Sequence, residues 1–249
     1  LGETAPLSPS TRVGEAVQNI GWACLRHFAL NKDAIVAGDA EAAHQMRAGL
    51  ARLDAAIAIF GRLLDGPETD AVKTEIGWLI GELDRVCALD TFLEGVLGPL
   101  RATQTDTDAI DALGVETSQR RQRALEHVVE TVTSERYRQV VLRVALWLIA
   151  AEWSDKADLG SAEPSRRIGA FARRALTSGA NIARKRLRSY AAGAGGLEDV
   201  RSAIHRLRCA AEFFAVLFEN EQRALNRFLR LLDQLLCDAG RLQDFAAQE

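Results

Sequence analysis

The 249 residues are 48% hydrophobic and 26% charged, with 31 Lys and Arg against 34 Asp and Glu and a formal net charge of -3. Such a balance excludes an intrinsically disordered chain, and the slight negative charge excludes a surface that is basic all over, so any site for a polyanion has to be local. Aromatic residues make up only 6%, five prolines are thinly spread, and Ala, Leu, Arg and Glu abound, which favours helix over strand throughout and predicts an all-α fold.

Apolar periodicity predicts helices over about Val13–Ala37, Asp39–Leu64, Glu68–Val86 and Leu89–Arg101, parted by short Gly, Asp or Pro signals. Four such helices with short connections suggest an up-and-down bundle. The polar stretch Thr103–Asp111 is expected to break the chain before helices at about Thr117–Thr131 and Glu135–Trp153. The run Val140–Trp153 is the most apolar of all; Arg143 interrupts it and it is shorter than the roughly 20 residues a membrane span needs, so it is expected to be a core helix. A second break is expected at Ser154–Pro164. Pro164 suits the first turn of a long helix to about Tyr190, which the glycines at 193, 195 and 196 end; without a preceding strand or a following Gly-Lys-Ser/Thr they are no phosphate loop. The last helices are expected at about Glu198–Phe218 and Glu221–Phe245.

Cys24, Cys87, Cys209 and Cys237 are scattered without metal or redox spacing, and each falls in a helical pattern where a reduced thiol packs as a small apolar group; this points to a cytoplasmic protein. The chain opens on Leu1 rather than Met, and residues 1–12, with Pro6-Leu-Ser-Pro9, read as a linker from an upstream segment.

An internal echo marks the candidate site. His44-Gln-Met-Arg47 opens one helix and His205-Arg-Leu-Arg208 another, each after a long helix and a Gly-containing turn, which suggests a distant duplication with halves at about 13–110 and 115–249. On a helical wheel, Met46, Leu50, Leu53, Ile57 and Phe60 lie on one side of the first helix, with His44, Arg47, Ala48, Ala51, Ala55 and Arg62 on the other. Ile204, Leu207, Ala211, Phe214 and Phe218 face inward on the second, opposite His205 and Arg208.

Positive charge is densest between Glu163 and Arg208, where eleven Lys and Arg stand against Glu163, Glu198 and Asp199. Arg166, Arg173, Thr177, Arg184 and Arg188 form one stripe opposite Phe171, Ala175 and Ile182, about 33 Å long at ~1.5 Å per residue, with Arg174 and Lys185 beside it. Guanidinium groups fork onto phosphate oxygens and stay charged at any ordinary pH, and a histidine at i−3 adds a donor, so the pattern suits an extended phosphate polymer. A charged stripe is also what any solvated helix face looks like, and the wheel does not separate the two readings.

The run Glu41-Ala-Ala-His44-Gln-Met-Arg47-Ala-Gly-Leu-Ala-Arg52-Leu53, with Val13-Gly-Glu-Ala16 before it, resembles the opening of CHAD domains, helical modules named for their histidines. Trp78-Leu-Ile-Gly-Glu-Leu83 followed by Leu89-Asp90 resembles the family's next helix, and Phe171-Ala-Arg-Arg174, Ile204-His-Arg-Leu-Arg208 and Leu242-Gln-Asp244 resemble its second half. The resemblance implies two antiparallel helical bundles with pseudo-two-fold symmetry around a basic cavity or groove that takes inorganic polyphosphate. It implies a non-catalytic role, no cofactor or metal, association with polyphosphate granules, and fusion behind a CYTH triphosphatase domain. The residues it assigns to polyphosphate are His44, Arg47, Arg52, Arg62, Arg166, Arg173, Arg174, Arg184, Lys185, Arg188, His205 and Arg208.

Several positions depart from the family pattern. Ala51-Arg52-Leu53-Asp54 stands where the family has a dense Arg-Arg-Leu-Arg, Glu212 to Val216 where it has Lys-Arg-Leu-Arg-Tyr, and Cys87-Ala88-Leu89-Asp90 where it has Arg-Asp-Leu-Asp. Glu212, four residues after Arg208, is placed to neutralise the arginine that should meet phosphate. A scaffold that has lost its ligand therefore stays open as an alternative. A nucleic-acid binder fits less well, because Tyr190 is the only aromatic between Phe171 and Phe213 and bases would find little to stack on. An enzyme fits least, since neither His44 nor His205 has a nucleophile or metal-ligand spacing beside it; Glu82 and Asp90 are expected to make caps or salt bridges.

Overall fold

The computed structural model describes residues 7–103, 108–153 and 164–246, with side chains not described at 40, 103 and 241–246. The linker expected at 1–12 lies partly outside them, as do most of the two expected breaks and the side chains of Leu242-Gln-Asp244. Among the described residues every element is helical. They are α1 (Val13–Ala29), α2 (Lys32–Val36), α3 (Ala40–Phe60), α4 (Pro67–Phe92), α5 (Gly98–Thr103), α6 (Asp108–Thr133), α7 (Glu135–Ala150), α8 (Ile168–Ala191), α9 (Leu197–Phe213) and α10 (Gln222–Ala246). None is long and apolar enough to cross a membrane.

Local chemistry accounts for where the helices differ from expectation. The helix expected over Val13–Ala37 is two, because Asn31 Nδ2 donates to the His27 carbonyl at 2.6 Å and takes over a terminal acceptor of α1. Gly38, at φ +91°, then turns the chain into α3. No Gly or Pro interrupts Cys87-Ala88, so the two helices expected over 68–101 run on from Pro67, with a wide π-type turn at Leu93–Leu97 just before Pro99, whose ring nitrogen cannot donate. α6 starts at Asp108 rather than near Thr117, with Asp108 and Asp111 at its positive end. Residues 164–167 belong to no helix: Val13 N–H donates to the Arg166 carbonyl at 2.9 Å, Gly14 to that of Pro164 at 3.1 Å, and Ile168 to that of Thr11 at 2.9 Å, so α8 starts only at Ile168. α9 ends at Phe213, and Phe218 lies beyond it with non-helical φ −120°, ψ 40°.

The chain divides into two compact units that are discontinuous in sequence. Unit 1 takes the described residues of Leu1–Ala23, Arg52–Gly66 and Leu148–Glu249; unit 2 takes those of Cys24–Ala51 and Pro67–Trp147. In unit 1 the rings of Phe60 and Phe171 stack at 4.9 Å with Phe214 edge-on to both. Val200, Ile204, Leu207 and Leu232 form a second cluster that Leu176, Ala180, Ala183 and Phe228 complete. In unit 2, Met46 and Leu50 of α3 and Ile76, Leu79 and Leu83 of α4 are all buried. Gly49 there lies so close to Phe28 that an added Cβ would come within 2.8 Å of its backbone nitrogen.

The apolar run of α7 is not a helix buried all round. Val140, Val144, Trp147 and Leu148 are buried, whereas Leu142, Leu146 and Ile149 are 61%, 63% and 65% exposed. Of the four thiols, those of Cys24, Cys87 and Cys209 are buried as expected, but that of Cys237 is exposed, because it lies away from the Leu225, Leu232 and Ala239 face of α10.

Candidate anion-binding site

The expected core sides of α3 and α9 hold. Met46, Leu50, Leu53, Ile57 and Phe60, and Ile204, Leu207, Ala211 and Phe214, are buried, while His44, Arg47, His205 and Arg208 are half-buried at the side. Ala55, expected on the charged side, is buried too, because α3 is enclosed over more of its circumference than one stripe. Arg62 falls past the end of α3, in a short turn of 3-10 helix, so it shares no face with His44; its side chain is exposed.

In unit 2, carboxylates of α4 reach the charged side of α3. His44 Nε2 lies 3.0 Å from Asp90 Oδ2, and the other oxygen of Asp90 accepts from Arg121 Nε. Arg47 Nε donates to Asp84 Oδ1 at 2.5 Å. Asp90 is itself buried, so the Arg121 guanidinium and the His44 ring that face its two oxygens hold the charge of a group that water barely reaches. Beside them, burial pushes the Cys87 thiol up to about 11; Arg47 opposes this, and Asp84, Asp90 and Glu41 add to it. Of the two remaining histidines, His127 Nε2 lies 2.6 Å from Glu82 Oε2, and His27 Nε2 lies 3.3 Å from Gln45 Oε1. Asp90 thus serves in an ion pair with Arg121, while Glu82 accepts from Trp78 Nε1 at 2.8 Å on the oxygen that His127 does not meet.

In unit 1, Glu212 is the hub. Arg52 NH1 donates to its Oε2 at 2.5 Å, and Arg208 NH2 lies 3.0 Å from its Oε1. Arg208 Nε also donates to Asp233 Oδ1 of α10 at 2.5 Å. Burial pulls the Arg208 guanidinium down, but Glu212 and Asp233 outweigh it and hold it above its usual value. His205 Nε2 lies 3.5 Å from the thiol sulfur of Cys209. The neutralisation of Arg208 expected from spacing is present; the Arg52 and Asp233 contacts are long-range and left no local signal.

The cations of α8 are arranged differently. Arg173, Arg174, Arg184, Lys185 and Arg188 are exposed, and among the described residues no carboxylate lies within 4 Å of Arg173, Arg184, Lys185 or Arg188. Arg173 rests on the ring of Phe218 at 5.5 Å, and Arg184 NH1 donates to Asn181 Oδ1 at 3.3 Å. Arg173, Arg174, Thr177, Ser178, Asn181, Ile182 and Lys185 line an open groove of about 560 Å³. Two expectations change. Arg166 precedes the helix and drops out of the stripe, which shortens it to about 22 Å from Arg173 to Arg188 at ~1.5 Å per residue. Ile182, expected inward, is 51% exposed on the flank, and Leu176, Ala180 and Ala183 face the core instead.

The family model of the CHAD domain matches residues 19–249. This chain belongs to the CHAD domain family. Among solved structures it is similar to the CHAD domain from the plant Ricinus communis, at 24% identity over 100% of this chain and 84% of that one, with a TM-score of 0.78. At that identity the likeness shows the fold. No curated protein matches the chain. In this CHAD domain, then, the histidine motifs on α3 and α9 are present, but Asp84, Asp90, Glu212 and Asp233 stand against them, whereas on α8 Arg173, Arg184, Lys185 and Arg188 have no acidic partner among the described residues.

Proposed function

We propose that the chain is a non-catalytic module that binds inorganic polyphosphate along the exposed face of α8. The observation that carries this reading is the row Arg173, Arg184, Lys185 and Arg188, a line of cations without ion-pair partners among the described residues in a protein of net charge -3. Leaving like charges side by side on one helix costs a few tenths of a kcal/mol per pair, and an anion that bridges them removes the cost. A linear polymer of phosphates presents oxygens along its length, and each guanidinium takes two of them. The same reading carries association with polyphosphate granules, and a CYTH triphosphatase domain as the neighbour in a longer protein.

A second reading, a scaffold that has lost its ligand, is favoured by Glu212, which already holds Arg52 and Arg208. Calorimetry with long-chain polyphosphate at near-physiological salt separates the two, with orthophosphate and RNA as controls. Submicromolar, salt-sensitive binding that is selective for polyphosphate and at least tenfold weaker in the R173A/R184A/R188A variant is the expected result. Unchanged affinity in that variant overturns the α8 assignment, and absence of binding by the native chain favours the scaffold.

A further inference from the structure

The Arg52–Glu212–Arg208 contact has the form of an occupied oxyanion site. Arg52 comes from α3 and Arg208 from α9, and they converge on opposite oxygens of one carboxylate, at 2.5 and 3.0 Å. Neither guanidinium depends on Glu212 for its place. Arg52 packs against the ring of Phe213 at 5.1 Å, and Arg208 is tied to Asp233 at 2.5 Å. Arg52 and Glu212 are each only 17% exposed, so the pairing is far less screened than an ion pair on the open surface.

We infer that Arg52 and Arg208 form a phosphate-oxygen cradle that Glu212 fills from within the chain, so that an incoming phosphate must displace this carboxylate. The inference rests on the polyphosphate reading and concerns the regulation of that ligand at a place separate from the α8 face. A carboxylate offers two oxygens and one negative charge, as an internal phosphate of the polymer does, whereas a terminal phosphate offers three oxygens and more charge, so the exchange is feasible for a chain end and unfavourable for a weakly charged ligand. The internal carboxylate lowers the apparent affinity by the fraction of molecules in which the cradle stands open. It also sets local charge: Arg52 and Arg208 are balanced by Glu212 and Asp233, and Glu212→Gln leaves one net positive charge aimed at an anion.

Tripolyphosphate, too short to follow the α8 row, is the probe. Calorimetry compares the full chain with E212Q, E212A and E212Q/R52A, each checked for native thermal unfolding, and with R173A/R184A/R188A. E212Q is expected to bind tripolyphosphate at least tenfold more tightly than the native chain, and E212A, which leaves no oxygen between the arginines, at least as tightly as E212Q. The gain should vanish in E212Q/R52A. Failure of both Glu212 variants to bind more tightly, or a gain that survives removal of Arg52, overturns the inference. Because the Glu212 and Arg52 variants keep the α8 face unchanged, they stand apart from the triple variant with long-chain polyphosphate, where loss supports the α8 reading and unchanged binding rejects it.

Discussion

Along α8 the cations Arg173, Arg184, Lys185 and Arg188 stand without acidic partners among the described residues, whereas on α3 and α9 Arg47, Arg52, His44 and Arg208 each meet a carboxylate from elsewhere in their own unit. The residue types are alike in the two places, and the neighbourhoods differ. α8 packs its Leu176, Ala180 and Ala183 side on the cluster around α9 and α10 and its Phe171 on Phe60 and Phe214, and leaves its cationic face to water. α3 and α9 are enclosed on more sides, and their charged edges fall where Asp84, Asp90, Glu212 and Asp233 can reach them. A guanidinium in the second setting serves the fold first, while one in the first setting is available to a ligand.

The largest effect should come from binding at the α8 face. Charge reversal in R173E/R184E/R188E should lower long-chain polyphosphate affinity by about two orders of magnitude and flatten its salt dependence, because each phosphate contact contributes roughly 0.7 to the slope of log K against log salt for a flexible strand. Calorimetry at three salt concentrations reads both, and an unchanged slope would break the comparison at its first term.

Stability should respond in the opposite place. Asp90→Asn removes the anion shared by His44 and Arg121 at a site that water barely reaches, and should destabilise unit 2 by about 2 kcal/mol in urea unfolding. The same measurement on Arg188→Ala should change by less than about 0.5 kcal/mol, since that side chain is exposed. Equal costs would erase the distinction between structural and available cations.

Alkaline pH probes the buried side of the comparison. The Cys87 thiol titrates at about 11 in the folded chain against an ordinary 9.0, so it ionises first in the unfolded chain. Stability is therefore whole below pH 9 and is lost as pH rises from 9 through 11, by roughly 2 kcal/mol at ~1.4 kcal/mol per pH unit. Tyr137, pushed up to about 12 mainly by burial, continues the loss above pH 10. In the Cys87→Ala variant the fall between pH 9 and 11 should be shallower; an identical profile would show that Cys87 contributes nothing to it.

The smallest effect is chemical. Iodoacetamide at pH 8 should modify Cys237 quickly and leave Cys24, Cys87 and Cys209 unreacted until the protein unfolds, as mass spectrometry would show, because only the first is exposed.

The helices were legible where periodicity and punctuation agree. Val13, Pro67, Glu135 and the glycines after Tyr190 mark ends found within a few residues of expectation. Misplacements arose where a local signal was ambiguous: Cys87-Ala88 offers no breaker, Asn31 ends a helix through one side-chain hydrogen bond, and Pro164 is held out of α8 by backbone bonds to residues 13 and 14. At the site, the i,i+4 relation of Arg208 and Glu212 was readable because one helix contains both. The Arg52, Asp84, Asp90 and Asp233 contacts join residues 25 or more positions apart, and no local pattern encodes them.

By itself the sequence determined an all-helical chain, the apolar sides of α3 and α9, the cationic row on α8 and the family to which these belong, because helix propensity, a 3.6-residue period and short motifs all act within a few turns. Only the tertiary structure decided which arginines meet a carboxylate and which, among the described residues, do not. That depends on which carboxylates other helices bring within hydrogen-bond reach, and Coulomb interactions between side chains depend on distance in space and on exclusion of water, neither of which follows from separation along the chain.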